Sequence, residues 1–218
     1  MLTCVVTYNR LAYTQRCIGS LLTTARKADR IIVVDNASTD GTREWLATLP
    51  IPVIYNPDNR YPGAATNQGW DAGLALRGAR LVHRSDNDIE YLRGWQAEVE
   101  RAFTDDPGLA LLGILNLHED HGEPAVDAMG VTPAARVGGN VVMPSRLFRD
   151  GLRWDERPWG RGIDEDGPMS WAAVKHGTVA RLVRTVANNM AFCRYADYPD
   201  YYDATAAARG YPNPAATV

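Results

Sequence analysis

Residues 31–42 read Ile31-Ile32-Val33-Val34-Asp35-Asn36-Ala37-Ser38-Thr39-Asp40-Gly41-Thr42. Four β-branched residues in a row describe a strand buried on both faces, the situation of a parallel sheet covered by helices. The apolar run stops at Asp35. Ser38-Thr39-Asp40-Gly41 is turn and helix-cap chemistry, and residues 42–49 then read as a helix. A buried strand, a polar turn and a helix follow one another within twenty residues.

The same unit recurs on either side. Leu2–Thr7 (LTCVVT) reads as a buried strand, and Leu11, Cys17, Ile18, Leu21 and Leu22 fall near helical spacing over residues 11–22. Downstream, residues 52–55 form a short third strand. Residues 63–77 are rich in Ala and Gly and predict a helix packed closely against a neighbour. Residues 80–83 read as a fourth strand, 92–103 as a helix and 109–115 as a further strand. This alternation predicts an α/β fold with a mainly parallel central sheet flanked by helices. The second half is less regular. Residues 118–124 read as a polar loop, 137–143 as a strand, 150–166 as an ordered loop, 169–175 as a short helix and 179–183 as a last strand. A tyrosine-rich tail follows Arg194. No internal repeat or linker interrupts the chain, so one domain is expected.

Composition narrows the function classes. The 218 residues are 45% hydrophobic and 22% charged, with a net charge of −3. That is an ordinary globular mix, and its sign argues against general electrostatic binding to nucleic acid. Cys4, Cys17 and Cys193 are scattered without a CxxC pair, so neither a zinc site nor a disulfide framework is expected. Cys4 and Cys17 sit in apolar patterns and read as core residues of a protein in a reducing compartment. No run approaches the roughly 18 apolar residues of a membrane span. A cytoplasmic location is expected.

Open α/β sheets bind ligands beyond the carboxyl ends of their strands. Three polar clusters fall there: Thr7-Tyr8-Asn9, Asp35-Asn36-Ala37-Ser38 and Ser85-Asp86-Asn87-Asp88. Two carboxylates one residue apart are costly to bury without a cation, and Mg²⁺ or Mn²⁺ takes such oxygen ligands together with substrate phosphates. A turn or a helix cap is the plainer reading of Asp86-Asn87-Asp88. Asp35 is placed to accept hydrogen bonds from a base or ribose, while Ser38 or Asp40 caps the following helix. Asp164-Glu165-Asp166 precedes a helix, where the dipole favours negative charge. It also offers a general base for an acceptor hydroxyl. His118-Glu119-Asp120-His121 reads as a solvated loop rather than a ligand set.

Taken in order, these pieces resemble the inverting family 2 glycosyltransferases of the GT-A fold. The resemblance rests on Thr7-Tyr8-Asn9-Arg10; Ile32 through Thr42; Asn59 with Gly63, Asn67 and Gly69; Asp86-Asn87-Asp88 before Gly94-Trp95; Gly139 through Arg146; Trp154-Asp155-Glu156; and Glu165-Asp166 with Gly177. The Tyr-rich tail with Arg209-Gly210-Tyr211-Pro212 resembles that of small bacteriophage-encoded members.

The resemblance implies a sugar-nucleotide donor, UDP-sugar favoured, and Mn²⁺ or Mg²⁺. Thr7, Tyr8, Asn9, Arg10, Asp35, Asn36 and Ser38 would hold base and ribose, with Asn67 supporting the nucleotide side. Asp86 and Asn87 would also contact the donor. Asp88 would be the leading metal ligand, with Asp86 beside it. Asp166 would be the general base, with Glu165 and Asp164 as rivals. Residues 1–115 would be the donor half, 116–194 the acceptor and catalytic half, and 195–218 the tail. Trp154 and Trp159 are candidates for an acceptor platform, because sugars and bases stack on aromatic faces. Trp171 reads equally well as core.

The chain departs from the family pattern in places. Tyr61, followed by Pro62, stands where relatives often carry Gly, and Arg93 stands where they often carry Pro. Asn188-Asn189 occupies the place of a metal-binding His, so His176 or the tail is a further ligand candidate. This departure motivates an alternative, a module that binds sugar nucleotides without turnover. The acceptor is open among small molecule, glycan, protein hydroxyl, virion protein and hydroxylated DNA base. Arg146, Arg149, Arg153, Arg157 and Arg161 would have to supply any local DNA surface, and solvated arginines are the simpler reading. A nucleotidyltransferase has no support, since no Lys-containing phosphate loop follows the first strand.

Overall fold

A computed structural model of the chain describes residues 1–114, 130–158, 165–184, 186–190, 197–200, 203 and 207. Its elements run β1 (Leu2–Thr7), α1 (Leu11–Thr24), β2 (Arg30–Asp35), α2 (Thr42–Leu46), β3 (Val53–Tyr55), α3 (Tyr61–Leu76), β4 (Leu81–Asp86), β5 (Ile89–Tyr91), α4 (Trp95–Asp105) and β6 (Leu109–Gly113). There follow β7 (Val131–Pro133), β8 (Val141–Pro144), α5 (Ser145–Arg149), α6 (Asp166–Ala173), a short 3₁₀ turn, β9 (Thr178–Leu182) and β10 (Ala187–Asn189).

Eight strands form one sheet in the order β3-β2-β1-β4-β8-β6-β9-β7. β1 runs parallel to β2 and β4, β2 to β3, and β6 to β9. β8 lies antiparallel between β4 and β6, and β7 is antiparallel to β9. The sheet is therefore more mixed than the alternation of the first 115 residues predicts. Strand periodicity marks a buried segment but carries no sign of its direction in the sheet.

Alternate residues of each central strand feed two cores. Val5 and Val33 pack with Tyr13, Cys17, Ile18 and Leu21 of α1 and Trp95, Val99 and Phe103 of α4. Leu2, Cys4, Val6, Ile32 and Val34 pack on the other face with Trp70 of α3, Phe148 of α5 and Met169 of α6. The Gly- and Ala-rich helix does make the close approach its composition predicts. A Cβ on Gly69 would lie 2.3 Å from Cys4 Sγ, so α3 sits against β1 at a distance only glycine permits. Cys4 and Cys17 are buried free thiols, each pushed up to about 12 mainly by burial.

Boundaries moved where polar contacts overrode apolar pattern. The strand expected over 137–143 begins only at Val141, because Val137 N donates to Ser170 Oγ and Gly139 bends past Arg84 and Asp86. Three short strands, β5, β7 and β10, carry too few residues for periodicity to reveal. β5 and β10 pair antiparallel as a separate ribbon, Asn189 opposite Ile89 and Asn188 opposite Glu90. No helix among the described residues is long and apolar enough to cross a membrane. The loop at 118–124, Trp159, Asp164, Cys193 and the tail beyond residue 207 lie outside the described residues.

Candidate active site

The strand register lines up the acidic clusters. Thr7 pairs with Asp35 and Val6 with Asp86, so β1, β2 and β4 end in one row. The loops after β1 and β2 are clamped together. Asn9 N donates to Ser38 Oγ (2.8 Å), Thr39 N to Asn9 Oδ1 (2.8 Å) and Leu11 N to Asp40 Oδ2 (2.9 Å). Asp40 also accepts from Thr42 N and Thr42 Oγ1, so one carboxylate starts both α1 and α2. This is the capping expected at Asp40. Asn9 and Arg10 take left-handed backbone to turn the chain there (φ 55° and 60°).

Within the row, several residues expected to touch the donor instead brace the loops. Thr7 is fully buried, its hydroxyl bonded to Thr14 Oγ1 and Asn87 Nδ2. Asn87 is buried too and donates further to Asn9 O and Thr14 Oγ1. Asn36 accepts from Asn56 Nδ2 at 2.9 Å and donates to Tyr61 O. Asn67 was expected on the nucleotide side. Its amide instead takes both backbone groups of Trp154, N→Oδ1 at 3.1 Å and Nδ2→O at 3.0 Å, and reaches Glu156 Oε1. The reason is common to all four. Each is within 2% of full burial, and a buried amide or hydroxyl must find protein partners.

Trp154 is also corrected. It is 3% exposed and packs near Trp70, with the Arg84 guanidinium 4.3 Å over its ring, so it offers no face to an acceptor. Trp171 is the outward-facing one, at 65% exposure. Of the arginines considered for a DNA surface, Arg153 pairs with Asp71 and lies over Phe148, and Arg157 pairs with Asp155.

The carboxylates of the row keep oxygens that no described residue pairs, although their exposure differs. Asp35 is buried, gives Oδ2 to Ser38 N (3.2 Å) and Arg43 Nε (3.2 Å), and leaves Oδ1 without a partner among the described residues. Asp88 Oδ2 accepts from Arg10 Nη1 at 2.9 Å, and Arg10 Nη2 donates to Asn87 Oδ1. Asp86 retains 36% of its side-chain exposure and pairs through Oδ1 with Arg84 Nη2 at 3.2 Å. Arg84 also reaches Glu165 Oε1 (2.8 Å) and Asp166 Oδ1 (3.5 Å). Sequence proximity cannot reveal this junction, since Arg84 and Glu165 stand 81 positions apart in the chain. Burial pushes the Asp166 carboxyl up to about 7; Arg84 opposes the rise, while Glu165 and Asp86 add to it. Tyr8 lies half-buried in the loop after β1.

The glycosyl transferase family 2 model matches residues 3–142. The chain belongs to this family. No curated protein matches it. Among solved structures, S. aureus TarS (residues 1–349) is 16% identical with a TM-score of 0.66, over 95% of this chain and 64% of that one. TarS in complex with UDP-GlcNAc gives 14% and 0.68, over the same shares. The mannosyltransferase PcManGT from Pyrobaculum calidifontis, in complex with GDP-Man and Mn²⁺, gives 16% and 0.60, over 83% and 55%. At such identities the likeness establishes the GT-A fold. The chain spans less than two thirds of the length of these neighbours.

In this family 2 chain two carboxylate oxygens have the chemistry a hard cation takes. Asp86 Oδ2 and Asp88 Oδ1 carry no hydrogen bond among the described residues, whereas their second oxygens face Arg84 and Arg10. No group of three or more His, Cys, Asp or Glu forms a metal cluster among the described residues. The set therefore fits Mg²⁺ or Mn²⁺ only if substrate phosphates complete the coordination. Asn188-Asn189, in β10, does stand beside Asp88, since Met190 N donates to Asp88 O at 2.8 Å. His176 precedes β9, and β9 runs parallel to β6. That places His176 at the opposite edge of the sheet, away from Asp88.

Proposed function

We propose that this family 2 chain transfers a sugar from a nucleoside-diphosphate sugar to an acceptor hydroxyl with inversion. The observation that carries the reading is the meeting of three acidic groups at one sheet edge. Asp35 and Asp86 end neighbouring ladders of β1, and Glu165-Asp166 reaches Asp86 through Arg84.

In this reading the unpartnered Asp35 Oδ1 accepts from the base or ribose, and the Asn9–Ser38 clamp holds that pocket in shape. Asp88, with Asp86, would hold Mn²⁺ or Mg²⁺ against the diphosphate. When bound, the cation offsets charge that develops on the departing diphosphate. The acceptor oxygen attacks the anomeric carbon as the bond to the diphosphate oxygen breaks. Asp166 takes the hydroxyl proton, and the nucleoside diphosphate leaves from the opposite face. A half-buried base beside two other carboxylates retains its affinity for a proton near neutral pH, which suits this role. Glu165 is the weaker candidate, because its carboxylate is tied to Arg84 and only 6% exposed. A UDP-sugar is favoured as donor, supported by the TarS complexes with UDP and UDP-GlcNAc. A GDP-sugar is the alternative, by analogy with PcManGT.

Asn188-Asn189 in place of His keeps a second reading in view, a module that binds sugar nucleotides without turnover. A panel of UDP-, GDP- and dTDP-sugars, assayed for nucleotide release with Mn²⁺ and acceptor extracts, separates the two. Release with inversion supports transfer. Tight binding without release supports the module, and neither binding nor release would overturn both. Asp35→Ala should weaken UDP binding by about tenfold, the worth of one buried hydrogen bond.

A further inference from the structure

We infer that Arg84 is a positioning residue that holds the Glu165-Asp166 turn against the donor carboxylate Asp86. The inference rests on the transferase reading and gives Arg84 a role in it beyond joining the acidic groups.

Arg84 lies in β4, two residues before Asp86, so both side chains leave the same face of the sheet. That face is apolar elsewhere, formed by Val82, Val141, Met143 and Trp70. A guanidinium there is costly unless charges surround it. At 2% exposure it is surrounded by three: Asp86 at 3.2 Å, Glu165 at 2.8 Å and Asp166 at 3.5 Å. Burial works against its charge, and the three carboxylates outweigh burial, so its pKa is raised.

The guanidinium is also held from above and below. Trp154 stacks 4.3 Å away, and Asn67 grips both backbone groups of Trp154. Gly139 closes the other side. A Cβ there would lie 2.7 Å from Arg84 Nη2 and 2.8 Å from Asp86 Oδ2.

The arrangement joins residues 81 positions apart. Glu165 and Asp166 begin α6, and the guanidinium ties that turn to β4. An arginine can bind several carboxylates at fixed angles, as a lysine cannot. Its loss would leave Asp166 near the site but without a fixed approach to the anomeric carbon.

The test compares Arg84→Met, Arg84→Lys and Gly139→Ala with the parent chain. Three readouts are taken: transfer kinetics on the best donor of the panel, UDP affinity by calorimetry, and amide exchange over residues 166–173. Expected for Arg84→Met is a kcat lowered about 100-fold, the scale of a misplaced base. Its donor KM and UDP affinity should stay within about threefold, and exchange at 166–173 should quicken while β1 and β4 stay protected. Arg84→Lys should recover part of kcat, and Gly139→Ala should lower kcat with the charge still present. Unchanged exchange at 166–173 in Arg84→Met would overturn the inference, as would equal loss of kcat and UDP affinity in both Arg84 variants. If the parent chain shows no turnover, the transferase reading fails, and the exchange comparison alone decides whether Arg84 anchors the turn.

Discussion

Arg10 Nη1 lies 2.9 Å from Asp88 Oδ2, with the arginine side chain 6% exposed and the aspartate 13%. Arg10 reaches it from a left-handed backbone position, φ 60°, and also holds Asn87. The proposed metal ligand is thus tied to the first loop of the fold before any donor arrives. Breaking a buried pair by removing one partner costs about 3 kcal/mol or more. Asp88→Ala should therefore lower thermal stability by several degrees and abolish the Mn²⁺-dependent part of UDP binding. Calorimetry with and without Mn²⁺, beside a melting curve, checks both. A variant that keeps metal-dependent binding would remove Asp88 from the ligand set.

Asp166 should set the acid limb of the pH–rate profile. Its carboxyl is pushed up to about 7, chiefly by burial, and the base must be ionised to take a proton. Transfer should fall as pH drops through about 7 and level off above it. Asp166→Asn should lose about 1,000-fold in kcat while binding UDP normally. A profile flat between pH 5 and 8 in the parent chain would count against Asp166.

His83 is fully buried between Thr3, Asn140 and Tyr91. Nε2–H donates to Asn140 Oδ1, and Nδ1 accepts from Thr3. Burial lowers its pKa from 6.5 to about 4, so the native ring stays neutral where the unfolded one takes a proton. The stability it gives is complete above 6.5 and is lost as pH falls toward 4, by about 3 kcal/mol in all. Urea midpoints at pH 7 and pH 5 should therefore diverge more in the parent than in His83→Gln. Equal divergence would show that other groups carry the acid sensitivity.

Tyr61 sits at φ 63°, a left-handed conformation that costs a non-glycine residue about 1 kcal/mol. Asn59 Oδ1 accepts from Tyr61 N at 2.9 Å and holds the turn. Tyr61→Gly should leave the melting temperature level or raise it slightly, against the usual loss on introducing glycine. A clear fall would mean that packing of the half-buried ring outweighs the strain.

Much of this architecture was legible in the order of residues. The run from Ile31 to Val34 is a strand because four β-branched side chains suit a sheet buried on both faces. Asp40 before Thr42 announces a helix start, and Gly69 a close approach. The carboxylates after β2 and β4 were legible as neighbours because a parallel sheet collects strand ends on one edge. Less legible was which polar residues point outward. Thr7, Asn36, Asn67 and Asn87 have ligand chemistry, yet each turns inward, since burial obliged them to pair with loop backbone and with one another.

The sequence by itself determined the family, the alternating strands and helices, and the acidic clusters, because periodicity and short motifs are local properties. Only the tertiary structure decided that β8 runs antiparallel beside β4, that Trp154 lies beneath a guanidinium, and that Arg84 joins Asp86 to Glu165 and Asp166. Those are contacts between residues far apart in the chain. They form only when closing the loops between them is repaid by burial, and no local pattern records that exchange.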